Sequence, residues 1–513
     1  MDFSRKGCAL GQFERIFDSS SEHFRTAILA TAGPASASEE RLAELIEAGA
    51  QIFRLNFSHG EPSDHERTLA AIRAVSNRLG VPVGVLGDLP GPKIRLGEVP
   101  GDGIRLAEGE PVAICRELVP ARPAESGEAA RFGSTWPGIV ECVNPGQRVL
   151  IDDGAVRLQA VGKRDDALLC EVTTGGRVSS HKGVNLPDSE LSIEMPTEND
   201  RKFASWAVEH ELDWIAMSFV RNADDVRALD AHLRASSHSA ERPIQIVAKI
   251  EVPGAVDHAA AIVEEVDALM VARGDLGVEM DIALVPAIQK HLLAVARDAG
   301  IPCIVATQML QSMIAAPTPT RAEASDVATA IFDGADGVML SGETAVGQYP
   351  AESVATMARI NRATETAMRR MRVTSGRDLE ATHAAAPGPG RSLVHGIWSA
   401  ARSAKARCVV VPSSTGHYAR MISRNDFLLP VLALAADPRT IRRMLLYRGV
   451  TPVQSDEIPT GEALVQRADR EVQARGWAGP GDCILVVAGD VWRGDEAGAG
   501  ILVHRVGERR TGA

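Results

Sequence analysis

Eight times along this 513-residue chain one local pattern recurs: a short apolar run that reads as a β-strand, a polar residue at its end, then a stretch of helical spacing. The runs cover residues 27–30, 51–55, 83–86, 214–217, 244–248, 268–272, 303–306 and 337–340. Their polar ends are Thr31; Asn56 and Ser58; Asp88; Ser218; Lys249; Arg273; Thr307; and Ser341 with Glu343. Strand–helix alternation of this size builds parallel sheets. An open doubly wound sheet would carry the same period. Eight units, however, is the number that closes a (βα)8 barrel, and chemistry-bearing side chains at nearly every strand end favour closure. The C-terminal strand ends of such a barrel form one rim, so these polar residues are predicted to converge.

The spacing breaks once, where more than 120 residues separate the third run from the fourth. This insert is rich in Gly, Pro and Val, with β-like runs at 147–151 and 168–172 and turn signals such as DDG and TGG. It reads as a small inserted β-barrel domain over residues 93–187, placed above the rim as a lid. The barrel then takes residues 24–92 and 188–370, after an N-terminal segment of residues 1–23. A polar, Pro/Gly-rich linker follows at 371–391. Residues 392–513 form a C-terminal α/β domain, with strand runs at 408–412, 430–434, 452–454, 483–488 and 501–506. Its sheet is predicted mostly parallel, with the last strand a candidate for antiparallel pairing. The predicted class is therefore α/β: a (βα)8 barrel, an inserted β lid and a C-terminal α/β domain.

The stretch 244–277 carries the densest chemistry. One strand delivers Lys249 and Glu251, and the next delivers Arg273, Gly274 and Asp275. Carboxylates at adjacent strand ends suit Mg²⁺ or Mn²⁺, which take one or two carboxylates and leave positions for substrate oxygens. A lysine beside that pair points to a phosphate or enolate being neutralised. A structural ion pair between Lys249 and a neighbouring acid is the alternative.

A net charge of −12 argues against a nucleic-acid partner, whose usual footprint is a basic patch. An acidic protein that binds anions must gather its cations locally. Only eight lysines occur, and three of them, Lys93, Lys182 and Lys249, lie in the motifs GPKIR, KGVNLP and KIE. Seven scattered cysteines without a CxxC read as reduced thiols. No apolar run approaches the ~18 residues of a membrane span, and the N-terminus lacks a signal-peptide core, so the expected compartment is the cytoplasm.

From about Arg25 onward the chain resembles the pyruvate kinases. The likeness rests on FRLNFSHG (53–60), GPKIR (91–95), KGVNLP (182–187), KIE (249–251), MVARGDLGVE (270–279), ATQMLQSMI (306–314), PTRAEASDVA (319–328) and MLSGETAVGQYP (339–350), in that order. The C-terminal domain matches more loosely, through STGHYAR (414–420) and LYRGVTPV (446–453). The resemblance implies transfer of a phosphoryl group from phosphoenolpyruvate to ADP, giving pyruvate and ATP, the last step of glycolysis. It implies Mg²⁺ or Mn²⁺ on Glu251 and Asp275, and a homotetramer. Phosphoryl transfer needs alignment and cations around the spreading charge. Lys249 and Arg54 are expected at the phosphoryl group. Ala272, Arg273, Gly274 and Asp275 are expected at the substrate carboxylate, through backbone N–H groups if the turn opens a helix. Thr307 and Ser341, with Glu343 behind, are expected to order a proton-relaying water. Asn56, Phe57, Ser58, His59, Arg95 and Lys182 are expected to face the nucleotide.

Simpler roles stand beside these. Thr307 and Ser341 would serve as plain strand-end or capping hydroxyls, and His59 as a loop tie. Arg95 would pair with a lid acid, and Lys93 and Lys182 would be solvated lysines.

The chain departs from the family pattern at the monovalent-cation site. Asn56, Ser58 and Asp88 are present, but Leu89 stands for threonine, Pro90 for lysine and Lys93 for glutamate. Lys93 is therefore expected to take the place of potassium. In the C-terminal domain, Ser413, Ser414, Thr415 and Gly416 resemble a backbone cradle for a phosphorylated sugar or other effector. The partner loop 488–500 carries Asp490, Asp495 and Glu496, which would repel a bisphosphate. Two other functions fit less well. Carbon–carbon lyases of the related barrels lack the lid and the nucleotide-side motifs, and an inactive paralogue would not keep every charged catalytic position filled.

Overall fold

Each of the eight predicted runs forms a strand, and together they close into one parallel barrel. The computed structural model describes residues 25–508 except 126–127, 165, 190, 238–241, 376–388, 425–428 and 489–499. The barrel strands are Ala27–Thr31, Ile52–Asn56, Gly84–Asp88, Trp214–Met217, Gln245–Ile250, Ala268–Ala272, Cys303–Ala306 and Gly337–Leu340. The first pairs with both the second and the eighth, which closes the ring. Side chains alternate across each strand. Leu29, Ile52, Leu86, Trp214 and Met270 fill the interior, while Ile28, Phe53, Val85, Ile215 and Val271 pack outward under the helices. Both faces are buried, so the strands are apolar along their whole length.

Four strands run further than the apolar runs suggested, the first by Thr31, which pairs with Arg54. Asn56 and Asp88 are the last residues of their strands and pair with each other, and Lys249 lies inside its strand opposite Met270.

The insert is a β domain, as expected, but its described strands do not close into the β-barrel the sequence suggested. Among the described residues its strands pair as a six-stranded sheet and a two-stranded ribbon. It has its own core of Val112, Ile114, Phe132, Ile151 and Leu158. One of its hinges is fixed by a helix cap. Thr197 and Asp200 form a capping box at the helix Glu198–Glu209, and the Asp200 carboxylate also accepts the Gly91 N–H at 2.9 Å. Gly91 is needed there. Its φ is +66°, and a Cβ would stand 2.9 Å from the Phe219 ring.

The C-terminal domain carries a five-stranded sheet. Its four strands Val450–Gln454, Val431–Ala435, Val409–Pro412 and Cys483–Ala488 run parallel, and the edge strand Gly500–Arg505 runs antiparallel. This domain plugs the N-terminal end of the barrel. Met444, Leu446 and Tyr447 belong to the same buried cluster as the barrel interior. Arg442 donates to Asp213 at 2.6 Å and Arg424 pairs with Asp336, each acid lying just before a barrel strand. The lid therefore covers one end of the barrel and the α/β domain seals the other. The helix Pro350–Ser375 enters the stretch read as a linker, and Pro389–Ser403 begins inside it. The rest of that stretch, and residues 1–23, lie outside the described residues. Among the described residues no helix is long and apolar enough to cross a membrane.

Candidate active site

The rim gathers its charges around Asp88. This carboxylate is 1% exposed and takes Arg54 Nε on one oxygen at 2.7 Å and Lys249 Nζ on the other at 3.3 Å. Lys249, itself buried, also meets Glu251 Oε1 at 2.8 Å and donates to Ser218 Oγ at 2.7 Å. Arg54 reaches back to Thr31 Oγ1 at 3.2 Å. Several strands thus contribute to one network, as convergence at a barrel rim requires.

Burial alone would raise Asp88, but Lys249 and Arg54 outweigh it and hold the carboxyl below its ordinary range. Lys249 shows the mirror effect. Burial opposes its charge, yet Asp88, Glu251 and Asp275 lift it above the usual lysine range, so it stays an ammonium. Glu251 is less well served. Burial, then the charge of Asp275, push it above the carboxylate range against the pull of Lys249 and of the Phe219 N–H, which donates at 2.6 Å. A buried carboxyl short of positive charge beside a second carboxylate fits a divalent cation. Among the described residues no group of three or more His, Cys, Asp or Glu gathers to hold a metal, so an ion on this pair would need substrate or water oxygens.

Asp275 lies on the short helix Arg273–Glu279 that follows the sixth strand. The Gly274 N–H donates to Thr307 Oγ1 at 2.7 Å, and that hydroxyl donates to the Ala306 carbonyl at 2.6 Å. Thr307 has φ +69°, a strained setting for a β-branched residue, and it lies at the rim. The Arg273 guanidinium is taken up by neighbouring protein groups. It donates to Asp326 at 2.7 Å and to the Thr307 carbonyl at 3.0 Å, so it braces the turn. At the eighth strand, Ser341 Oγ is buried without a hydrogen-bond partner among the described residues. Glu343 accepts the Leu310 N–H at 3.0 Å and the Ser341 N–H at 2.8 Å, one on each oxygen. It ties two rim loops together.

Between lid and barrel runs a cleft of about 900 Å³, walled by Lys93, Arg95, Lys182, Asp153, Asp275 and Phe219 among others. Lys93 is solvent-exposed at its mouth. Its pKa is lowered by the crowding around it, then by Arg95 and Lys249, while Asp88 and Asp275 act the other way. Arg95 donates to the His181 carbonyl at 3.0 Å, and Lys182 pairs with Asp152 at 2.9 Å. His59 is exposed, its pKa lowered by partial burial and by Lys93, Arg95 and Arg54. Asn56 Oδ1 accepts the Ser58 N–H at 3.2 Å.

The comparisons with known proteins agree with this geometry. The family described as "Pyruvate kinase, barrel domain" matches residues 23–354, and "Pyruvate kinase, alpha/beta domain" matches 391–498. The chain belongs to the pyruvate kinase family. A pyruvate kinase of Agrobacterium vitis is 41% identical over 91% of this chain and 93% of its own length. One from Corynebacterium efficiens is 39% identical, over 91% and 94%. The crystal structure of a pyruvate kinase from Cryptosporidium parvum superposes with a TM-score of 0.85 at 30% identity, covering 95% of this chain and 97% of that one. As a member of the pyruvate kinase family the chain is a phosphotransferase.

Two of the expected residues have side chains engaged by the protein itself. The Phe57 ring is 2% exposed and stacks on Phe203 at 4.6 Å, in the space that Gly87 leaves open, so only its backbone is available to a nucleotide. The Arg273 side chain is likewise committed to Asp326. Four residues have surroundings to which the sequence reading assigned no role. Ser218 and Phe219 hold Lys249 and Glu251. Asp153, at φ +53°, is raised by partial burial and then by Asp275 across the cleft. Glu279 accepts from Asn185 of the lid at 2.7 Å and is pushed by burial up to about 7. The pyruvate-kinase-like effector cradle is only half described. Ser413 Oγ accepts the Gly416 N–H at 3.0 Å, with Gly416 at φ +84°, and the partner loop 488–500 lies almost wholly outside the described residues.

Proposed function

We propose that this enzyme moves the phosphoryl group of phosphoenolpyruvate to ADP, with Mg²⁺ or Mn²⁺ on Glu251 and Asp275 and no need for potassium. The observation that carries this is the Lys249 ammonium, buried at the rim between Asp88, Glu251 and Ser218 with Arg54 alongside. The P–O bond to the enol oxygen breaks and a P–O bond to the terminal oxygen of ADP forms. The enolate left behind takes a proton on carbon. Lys249 and Arg54 meet the charge that spreads over the phosphoryl oxygens. A divalent ion on the two carboxylates would add positive charge at the substrate oxygens. Lys93, Arg95, Lys182, Asn56, Ser58 and His59 line the nucleotide side. Of the two candidate relay hydroxyls, Ser341 is the freer, because Thr307 already donates to Ala306 and accepts from Gly274. A coupled assay for ADP-dependent pyruvate formation tests the reading, and no pyruvate from a folded, metal-loaded enzyme would end it.

Potassium independence has two supports. Both oxygens of Asp88 already face cations, and Lys93 brings a fixed ammonium toward Asp88 and Asp275. Turnover is therefore expected to be the same with potassium as in a buffer free of potassium and sodium. Strong activation by potassium would contradict it.

Glu251→Gln is expected to raise the metal concentration for half-maximal activity by at least about 10-fold, while the KM for ADP moves little. A shift in ADP affinity with unchanged metal dependence would take Glu251 out of the metal shell.

The assembly is read as a homotetramer and the compartment as the cytoplasm. Ile282 and Leu284, 74% and 52% exposed, are apolar side chains that an assembly would cover.

A further inference from the structure

The two-residue turn after the fourth strand touches two charged members of the rim, Lys249 and Glu251. Ser218 is 3% exposed, and of the two acceptors its hydroxyl faces, the Leu89 carbonyl at 2.7 Å is much nearer than Asp88 Oδ1 at 3.4 Å, so its one proton goes to Leu89. A hydroxyl has one donor and two acceptor lone pairs, so that donation turns its lone pairs toward Lys249, whose ammonium meets them at 2.7 Å. The next residue, Phe219, has φ +54°, a rare setting for a bulky side chain. Its N–H thereby reaches Glu251 Oε2 at 2.6 Å. Strained backbone of this kind persists where its surroundings over-determine it. Here the Phe219 ring closes against Gly91, and the Leu89 side chain, 1% exposed, fixes the carbonyl that receives Ser218.

We infer that Ser218 and Phe219 are positioning residues for phosphoryl transfer: the Ser218 hydroxyl aims the Lys249 ammonium, and the Phe219 N–H aims the Glu251 carboxylate. An ammonium has three donors, and Lys249 has three acceptors, Ser218, Glu251 and Asp88. Glu251 is also claimed by the metal in the function proposed above, on which this inference rests. When Glu251 turns to that duty, Ser218 and Asp88 remain. Asp88 is shared with Arg54, so the hydroxyl is the acceptor that Lys249 alone uses in this network. It is neutral, so it orients the ammonium without competing with a phosphoryl group for its charge.

The test compares Ser218→Thr with Ser218→Val, which share a shape and differ by the hydroxyl. The valine enzyme is expected to lose about 10- to 100-fold in kcat relative to the threonine enzyme, the scale at which misplacing a reacting group tells, with the KM for phosphoenolpyruvate nearly unmoved. A merely structural serine would move KM and melting temperature as well. A second readout needs no turnover. Arylation of Lys249 by trinitrobenzenesulfonate, followed by peptide mapping, is expected to be faster in the valine variant, whose ammonium has lost an acceptor. Equal kcat and equal arylation in the two variants overturn the inference. Absence of pyruvate formation in the parent, with the arylation difference intact, overturns the proposed function and leaves the positioning contact standing.

Discussion

Lys249→Met is expected to lower kcat by about 10²–10³, the loss seen when one preorganised donor to a transition state is removed. Methionine keeps most of the buried stem volume and takes away the charge. The ammonium is 2.8 Å from Glu251 and 3.3 Å from Asp88, so its removal leaves Glu251 with the Phe219 N–H and Asp88 with Arg54. Stability should therefore respond to pH as well. Asp88 in the parent is held below its ordinary range, so it contributes stability above its unfolded pKa that is lost as pH falls through the folded value. Without Lys249 that depression weakens, because Arg54 alone is left to oppose burial. The variant is then less stable than the parent near neutrality, and the gap narrows on acidification. Turnover within severalfold of the parent would place Lys249 away from the phosphoryl group. A melting curve whose difference from the parent ignores pH would remove the Asp88 argument.

The barrel was legible because strands buried on both faces are written as unbroken apolar runs, and because each run ends in a residue that has work to do at the rim. Strand ends were less legible. Asn56, Asp88 and Lys249 look like stops in the sequence, yet a polar side chain does not end backbone pairing, and all three remain in the ladder. The carboxylate pair and Lys249 could be proposed from KIE and RGD spacing alone. What could not be read was where long side chains turn. The Arg273 guanidinium, in the RGD motif, is held by Asp326, over 50 positions later. Ser218 looked no different from Thr31, another hydroxyl at a strand end, until Lys249 was seen to cross from the next strand to meet it. The lid was recognisable by its turns and β-runs. Its pairing order was not, since antiparallel contacts are set by packing across long stretches of chain.

Arg424→Met is expected to give the second large effect, on stability rather than turnover. Arg424 is 8% exposed and pairs with Asp336, which is fully buried just before the eighth strand. Removing one partner of a buried pair leaves the other charge without compensation, at a cost of about 3–5 kcal/mol. Asp336 would keep the Cys303 N–H at 2.8 Å and the more distant charge of Arg448. Burial already raises Asp336 above its ordinary range despite Arg424, so without the guanidinium its proton affinity rises further. A carboxyl with a raised folded pKa loses stability as pH climbs from its unfolded value, so the deficit of Arg424→Met should grow with pH and shrink in acid. Adding Asp336→Asn should restore much of the loss, because asparagine still offers an oxygen to the Cys303 N–H and no charge stays buried. Melting temperatures of the two variants across pH, with kcat at a temperature where both are folded, separate the possibilities. The pair lies at the end of the barrel opposite the rim, so kcat should hold. A single variant that melts like the parent, or a double variant no better than the single, would show that the C-terminal domain is held to the barrel by its apolar plug of Met444, Leu446 and Tyr447 and not by this ion pair.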